Sequence, residues 1–472
     1  MARIRKFFSR RSVCSSCLFL ATSIFLSLVT PQGAGWRRTV QGEPPKAAAA
    51  GSTAAASTAA ASTLLAPAAK RVSLLASGQF AGDRLDASGL SGQVETGVPV
   101  ALLGGFSGLE YSGEGDRYWA ITDRGPADGA ATYPCRFHEI ELALPSGAAA
   151  NPSGGLLMIT PKLIATHPLR DAAGTPLSGR SSLLPKSGAA RGTRFDPEAL
   201  RRHKDGSLWI SDEYGPHIAR FDKSGKELER LAVPAKFLVG RPAAARDDEN
   251  TFNATGRRAN GGFEGLATTF AGDRLLALAQ RPLIQDSERE GLAFHGVSCR
   301  LLELPLAPVA KGKGKGKSDA TSTAAIGVPR EFLYPLDLPG NGLNELLAWD
   351  EHHFLVIERD DAPGIEARFK KIMICDLAGA SNIAGIERLP PRGVPTGVKP
   401  IAKRVLIDLL DPQWKLAGAS FPEKIEGLAR GPLLADGRRL LVVGSDNDCD
   451  PAEPSRFWLF AVPTEPSSTA RR

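Results

Sequence analysis

Short apolar runs broken by polar turns recur along the chain after residue 70, and the runs alternate in the way of half-buried strands rather than with a helical period. One pattern appears five times: a Glu, a small or apolar pair, a polar turn, then an apolar run ending in polar or acidic residues. The copies start near Ser107, Asp196, Phe263, Asn344 and Ile425. Their leading glutamates, Glu110, Glu198, Glu264, Glu345 and Glu426, are spaced by 88, 66, 81 and 81 residues. Within the copies Gly115-Asp116, Asp205-Gly206, Gly272-Asp273, Asp350-Glu351 and Asp436-Gly437 supply turn residues, so each copy is predicted to open with a hairpin.

A third alternating segment follows each hairpin, at Phe137, His217, Cys299, Lys371 and Arg456. A fourth is predicted in the first four copies, from LMITPKLIA, ELERLAVP, REFLYPLD and KRVLIDL. The fifth copy lacks one, and the unpartnered segment Arg71 to Phe80 is expected to fill the place and close a ring. Repeated four-stranded sheets arranged radially make an all-β fold, a β-propeller. Five blades are countable, and the stretch between Leu144 and Arg194 leaves room for a sixth, giving five to six. A two-sheet sandwich is the rival, but it gives no reason for a Glu at the head of every copy.

Composition agrees with many strands and loops: 50 Gly and 35 Pro in 472 residues, and 42% hydrophobic residues. The net charge of +7 is concentrated in the first eleven residues and in the Lys311 to Lys317 run. Without them the charges nearly balance, so nothing favours nucleic acid as a partner.

The amino terminus reads as an address. A basic stretch ending at Arg11 precedes an apolar run from Val13 to Thr30, then Pro31 and small residues. Residues 1–35 are expected to be an export signal or a retained membrane anchor, 36–70 a low-complexity Ala/Ser/Thr linker, 71–463 the propeller and 464–472 a tail. The working body is expected outside the cytoplasm, as a monomer. Cys14 and Cys17 lie in the export segment. Cys135, Cys299, Cys375 and Cys449 have no metal-type spacing, and their pairing stays open between disulfides and buried thiols.

The candidate chemistry follows from the radial arrangement. If each leading Glu begins an innermost strand, five carboxylates converge on one axial mouth and repel one another unless a cation answers them. Glu110, Glu198, Glu264, Glu345 and Glu426 are therefore candidate metal ligands, joined by Asp123, Glu358 and Asp446 at the ends of second strands. Oxygen donors without His or Cys favour a hard cation, Ca²⁺ above all. Arg124, Arg281 and Arg359 offer forked donors to a phosphate or carboxylate, or lock blade to blade. Asp212 and Glu213 complete the candidate catalytic set.

Other signals are absent or weak. There is no Gly-x-Ser-x-Gly elbow and no His-Glu-x-x-His pair. Gly316-Lys317-Ser318 lacks the upstream Gly of a nucleotide loop and reads as a solvated insertion. His203 and His217 stand near acids, with turn histidines as the plain alternative. Asn253-Ala254-Thr255 has the form of a glycosylation acceptor.

The segments DPEALRRHKDGSLWISDEYGP, GGFEGLATTF and PEKIEGLARGP, with SGLEYSG and TDRGP, resemble the phytase-like family of exported proteins, whose members are described by an esterase-like activity of phytase. The resemblance spans roughly residues 71 to 463. It implies a propeller related in shape to the calcium-dependent alkaline phytases, and phosphate-ester hydrolysis assisted by Ca²⁺. The Asp-Asp-Pro-Ala and Asn-Asn-Phe-Asp segments of those phytases are missing, so no catalytic residue carries over from them. The repeat glutamates and the Asp212-Glu213 pair carry over as positions of the phytase-like pattern. Three functions follow as expectations: an ester or phosphate-ester hydrolase acting on a small molecule, a non-catalytic calcium-stabilised propeller that binds an envelope or extracellular ligand, and a sugar-lactone hydrolase.

Overall fold

A computed structural model of the chain describes residues 71–148, 155–184, 192–306 and 327–464. The expected export segment, the whole of the linker, the Lys311 to Lys317 insertion and nearly all of the tail lie outside them. In chain order the first strand, β1 (Ser73–Phe80), precedes the first blade of β2 (Phe106–Tyr111), β3 (Arg117–Thr122) and β4 (Arg136–Glu141). A two-residue β5 (Leu157–Met158) then leaves for another sheet, and β6 (Lys162–Pro168) completes the blade. The second blade is β7 (Pro197–Arg202), β8 (Leu208–Asp212), β9 (His217–Phe221) and β10 (Glu227–Leu231), followed by α1 (Arg246–Phe252).

The third blade has β11 (Phe263–Thr268) and β12 (Arg274–Ala279), a small side hairpin of β13 (Glu288–Glu290) and β14 (Ala293–His295), then β15 (Ser298–Pro305) and β16 (Arg330–Pro335). The fourth is β17 (Gly342–Ala348), β18 (His353–Arg359), β19 (Lys370–Asp376) and β20 (Ala402–Asp408). The fifth joins β21 (Lys424–Leu433), β22 (Arg439–Asp446) and β23 (Ser455–Val462) to β1, which runs antiparallel to β23 from Ser73 opposite Ala461 to Phe80 opposite Ser455. The amino-terminal strand thus closes the ring as its unpartnered sequence predicts.

Neighbouring inner strands touch in the cycle β2, β7, β11, β17, β21 and back to β2, so five blades surround one axis among the described residues. No sixth blade is built from the described part of the Leu144 to Arg194 stretch. Its strand-like segment divides, with Leu157 and Met158 pairing in parallel with β1 and the remainder staying in the first blade. The division falls next to Pro161, and a proline withdraws one ladder donor at that point.

The core is divided the same way. Apolar clusters fill each interface between blades, for example Phe80, Phe106, Leu109 and Phe457 between the fifth and first, and Leu266, Leu275 and Ala199 between the third and second. Face-to-face burial between sheets, rather than a single central core, holds the ring together. A sandwich of two sheets does not produce this partition.

Two open questions from the sequence are resolved by packing. Cys135, Cys299, Cys375 and Cys449 are all free and buried, so no disulfide joins them. Asn253 is buried: its Nδ2 donates to the carbonyls of Arg241 (2.9 Å) and Glu249 (2.8 Å), and its Oδ1 accepts from Arg241 N (2.8 Å). A side chain so engaged is not a surface glycan acceptor, contrary to the expectation from the motif.

Candidate acidic site at one axial mouth

Each inner strand carries a register irregularity near its start, at Phe106/Gly108, Pro197/Leu200, Phe263/Gly265, Asn344/Leu346 and Ile425/Gly427. Such irregularities turn a side chain out of the ladder. Just beyond them, Leu109, Leu200, Leu266, Leu346 and Leu428 are all buried in the interfaces between blades. Counting two residues back from these leucines gives Ser107, Glu198, Glu264, Asn344 and Glu426 as equivalent positions. The ring therefore contains three glutamates, a serine and an asparagine, not five glutamates.

These side chains bond to one another around the axis. Ser107 Oγ donates to Glu198 (2.5 Å) and to Glu426 (3.2 Å), while Asn344 Nδ2 donates to Glu264 (2.6 Å) and Glu426 (3.1 Å). Gln280 Nε2 adds a bond to Glu264 at 2.7 Å. Carboxylate oxygens of Glu198, Glu264 and Glu426 lie within 4.8 Å of one another, and Glu198 forms a second such group with Asp196 and Glu213. The cationic answers are few. Arg359 pairs with Glu426 (2.6 Å) and Asp361 (3.0 Å), and Arg124 pairs with Asp196 (2.8 Å) and Glu213 (3.3 Å).

A third acidic group, Asp123, Asp446 and Asp448, stands beside them with Lys424, which reaches Asp446 at 3.1 Å and also bonds Asp448. Asp123, Asp448, Glu198, Glu264 and Glu426 from these groups line a cavity of about 470 Å³ whose rim includes Arg246, Arg281 and Asp361. Helix α1 delivers Arg246, and its buried Glu249 is tied to Arg257 (2.6 Å) and Arg194 (3.3 Å). Arg281 itself is held by Asp361 at 2.5 Å.

Burial without matching positive charge raises the cost of ionising this set. Glu198 and Glu264 are held well above the ordinary carboxylate range, by burial first and by neighbouring carboxylates second. Asp123 is raised by burial and then by Asp446, and both Asp196 and Asp446 are pushed up to about 7, chiefly by burial. The donor set suits a hard cation: every donor is oxygen, and Gln280 Oε1 and Asn344 Oδ1 are buried with no hydrogen-bond partner once their amide nitrogens are spent on Glu264 and Glu426.

The remaining predicted residues lie elsewhere. Glu110 is three residues past the ring position and lines the opposite mouth, where it accepts from Arg202 N at 3.3 Å. Glu345 is one residue past it and buried inside the ring, paired with Arg201 at 2.6 Å. Glu358 is enclosed by Tyr334 OH (3.0 Å), Asp337 N (2.7 Å), Asn341 (3.0 Å) and Lys403 (2.6 Å), which makes it a lock between the third and fourth blades. Asp212 accepts from the backbone N–H groups of Asp196 (2.9 Å) and Tyr214 (3.1 Å) and borders a different cleft. The structure brings together Glu198, Glu264, Glu426, Asp123, Asp446, Glu213, Arg124, Arg281 and Arg359. It adds Gln280, and also Ser107, Asn344, Asp196 and Lys424, which the sequence reading misses. For Ser107 and Asn344, the leucine two positions on is the signal that aligning on glutamate overlooks.

Fold and site define a class: a five-bladed propeller with an acid-rich cavity at one end of its axis. The family model for the phytase-like proteins, described by an esterase-like activity of phytase, matches residues 101–449, and the chain belongs to that family. An uncharacterized secreted protein of Arthroderma benhamiae is 31% identical over 208 residues, covering 36% of this chain and 40% of the relative. The chain thus spans about 40% of the length of the curated relative it matches. Two solved structures with low similarity are regucalcin, a calcium-binding protein of Agrobacterium tumefaciens, and a gluconolactonase of Xanthomonas campestris. The first is 12% identical with TM-score 0.31, covering 75% of this chain and 89% of the other; the second is 10% identical with TM-score 0.27, covering 74% and 69%. Among the described residues no helix is long and apolar enough to cross a membrane.

Proposed function

We propose that the chain is an exported hydrolase of small-molecule esters, phosphate esters foremost, working at the acidic mouth with a divalent cation such as Ca²⁺. The observation that carries this reading is the imbalance of charge: Asp196, Glu198, Glu213, Glu264 and Glu426 form two overlapping carboxylate groups, and only Arg124 and Arg359 pair with them directly among the described residues. Glu198, Glu264 and Glu426 would hold the cation, with the unpartnered oxygens of Gln280 and Asn344 beside them. When bound, it supplies charge stabilisation at the ester and a more acidic water.

The chain's own groups do the positioning. Glu213 and Asp196 orient the Arg124 fork, while Glu426 and Asp361 orient Arg359; Arg281, Arg246 and Lys424, each paired with aspartate, stand around the rim where an anionic substrate would meet them. Ser107 and Asn344 hold the glutamates in place by hydrogen bonds. No covalent nucleophile is required. The export reading rests on the basic and apolar amino-terminal segment and on the secreted relative.

The test is release of phosphate or alcohol from a panel of phosphate esters, simple carboxylic esters and sugar lactones, with calcium and with chelator. Calcium-dependent turnover that is lost in Glu198→Gln and Glu264→Gln supports the proposal. Activity that survives both chelation and Glu198→Gln refutes it. Turnover of lactones alone would favour a sugar-lactone hydrolase. A second reading, a non-catalytic cation-stabilised propeller that binds an extracellular ligand, is favoured by the way Arg124 and Arg359 bridge blades. Calcium-dependent stability with no turnover across the panel would select it.

A further inference from the structure

The other end of the axis has the opposite character. The inner strands that carry Glu198 and Glu426 at the acidic mouth continue to Arg201, Arg202 and Arg430 at the far side, around a second cavity of about 450 Å³. Lys204 joins them, and Glu110 is the lone carboxylate of this lining. The two cavities are separated by a plug. Arg201, only 2% exposed, donates to the carbonyls of Leu109 (2.8 Å), Leu200 (2.6 Å) and Leu346 (2.9 Å) and pairs with Glu345 at 2.6 Å.

Arg201 is answered by Glu345 and, at 3.7 Å, by Glu110, so the charges of Arg202, Lys204 and Arg430 face only the shared Glu110 within the cavity lining, with Asp350 acting on Arg430 from outside it. Arg202 and Arg430 form no ion pair with any described carboxylate, and Arg430 Nε is buried without a hydrogen-bond partner. Arg430 is instead held in place by aromatic faces, 4.8 Å from the Phe270 centroid and 6.0 Å from that of Trp349. Burial, followed by the neighbouring Arg439, lowers its guanidinium to about 10, outweighing the opposing pull of Asp350 and Glu110. Phe270 is 45% exposed and forms an apolar wall beside these donors.

We propose that this basic mouth is a second ligand site, for phosphate or a small phosphorylated molecule, with Arg430, Arg202 and Lys204 as the oxyanion donors and Phe270 as the surface for an organic body. A guanidinium already oriented by stacking loses little freedom on accepting an oxyanion. The cavity volume is that of a small-molecule site. The inference is independent of hydrolysis at the acidic mouth, from which the plug divides it.

The experiment is titration calorimetry of the intact protein with inorganic phosphate and with phenylphosphonate, in chelator so that no divalent ion bridges ligand to the acidic mouth. Binding should weaken about tenfold in Arg430→Gln, the scale of one charge-assisted hydrogen bond. The exposed pair Arg202→Gln and Lys204→Gln, which leaves the packing of Arg430 intact, should weaken it as well. Phe270→Ala, which also removes one stacking face from Arg430, should weaken phenylphosphonate by a clearly larger factor than phosphate if the ligand carries an organic body; an equal factor for both identifies free phosphate. Unchanged affinity in both the Arg430 and the Arg202/Lys204 variants overturns the proposal, as does binding abolished by Arg281→Gln at the acidic mouth. Circular dichroism of each variant separates loss of binding from loss of fold.

Discussion

Replacing Arg201 by Met would test whether the plug on the axis is a cross-link between blades. The guanidinium bonds carbonyls on β2, β7 and β17, and its partner Glu345 also accepts from Leu109 N (3.4 Å), Leu346 N (3.1 Å) and Leu428 N (3.5 Å). Four blades therefore meet at one ion pair. Methionine fills much of the space but leaves three buried carbonyls and one carboxyl without their donor. Removing one member of a buried pair costs about 3–5 kcal/mol, because the other is left uncompensated. Protonation of Glu345 limits the loss, so the lower part of that range is expected near neutral pH. The assay is urea unfolding followed by tryptophan fluorescence, in chelator, for Arg201→Met, Glu345→Gln and the double variant. The double variant should lose clearly less than the sum of the two, as partners in one interaction do. A loss below about 1 kcal/mol for Arg201→Met, or strict additivity, would refute the cross-link.

Glu345 is pushed up to about 7, mainly by burial, so the fold favours its protonated form. Its contribution to stability is complete below the ordinary carboxylate range near 4.5 and is lost as pH rises toward and through about 7; melting curves should show a decline shared with Asp196 and Asp446, and Glu345→Gln should make it shallower without abolishing it. A Cβ added at Gly265 would stand 2.7 Å from backbone atoms of Glu345 and Leu346, so Gly265→Ala should cost about 1–3 kcal/mol in a denaturant titration, while Gly437→Ala, in open space but at φ +84, should act through turn strain alone. Calcium at about a hundred times its dissociation constant should stabilise the protein by about 2.7 kcal/mol, and a Glu264→Gln/Glu426→Gln variant that shows the same calcium shift would contradict a site at those residues.

Much of the architecture could be read from local pattern. Turn dipeptides such as Asp205-Gly206 and Asp436-Gly437 mark hairpins because few residues tolerate their backbone conformations, and both glycines have positive φ. Strand alternation marked five blades, and the unpartnered segment before the first repeat pointed to the closure with β23. The site was less legible. Glutamate recurs in every copy, yet in two copies it sits one or three residues away from the position that faces the mouth.

The pattern of apolar residues and turns determines that this chain makes five hairpin-led sheets whose ends can meet, since those features depend on neighbours close in sequence. Which acids share a cavity is decided only in the assembled ring. A one-residue displacement at a bulge sends Asn344 to the mouth and Glu345 to Arg201, and the burial of Leu346 between blades selects that outcome. The charge of the two mouths, acidic around Glu264 and basic around Arg430, likewise arises from residues at opposite ends of the inner strands, brought into register by packing around the axis.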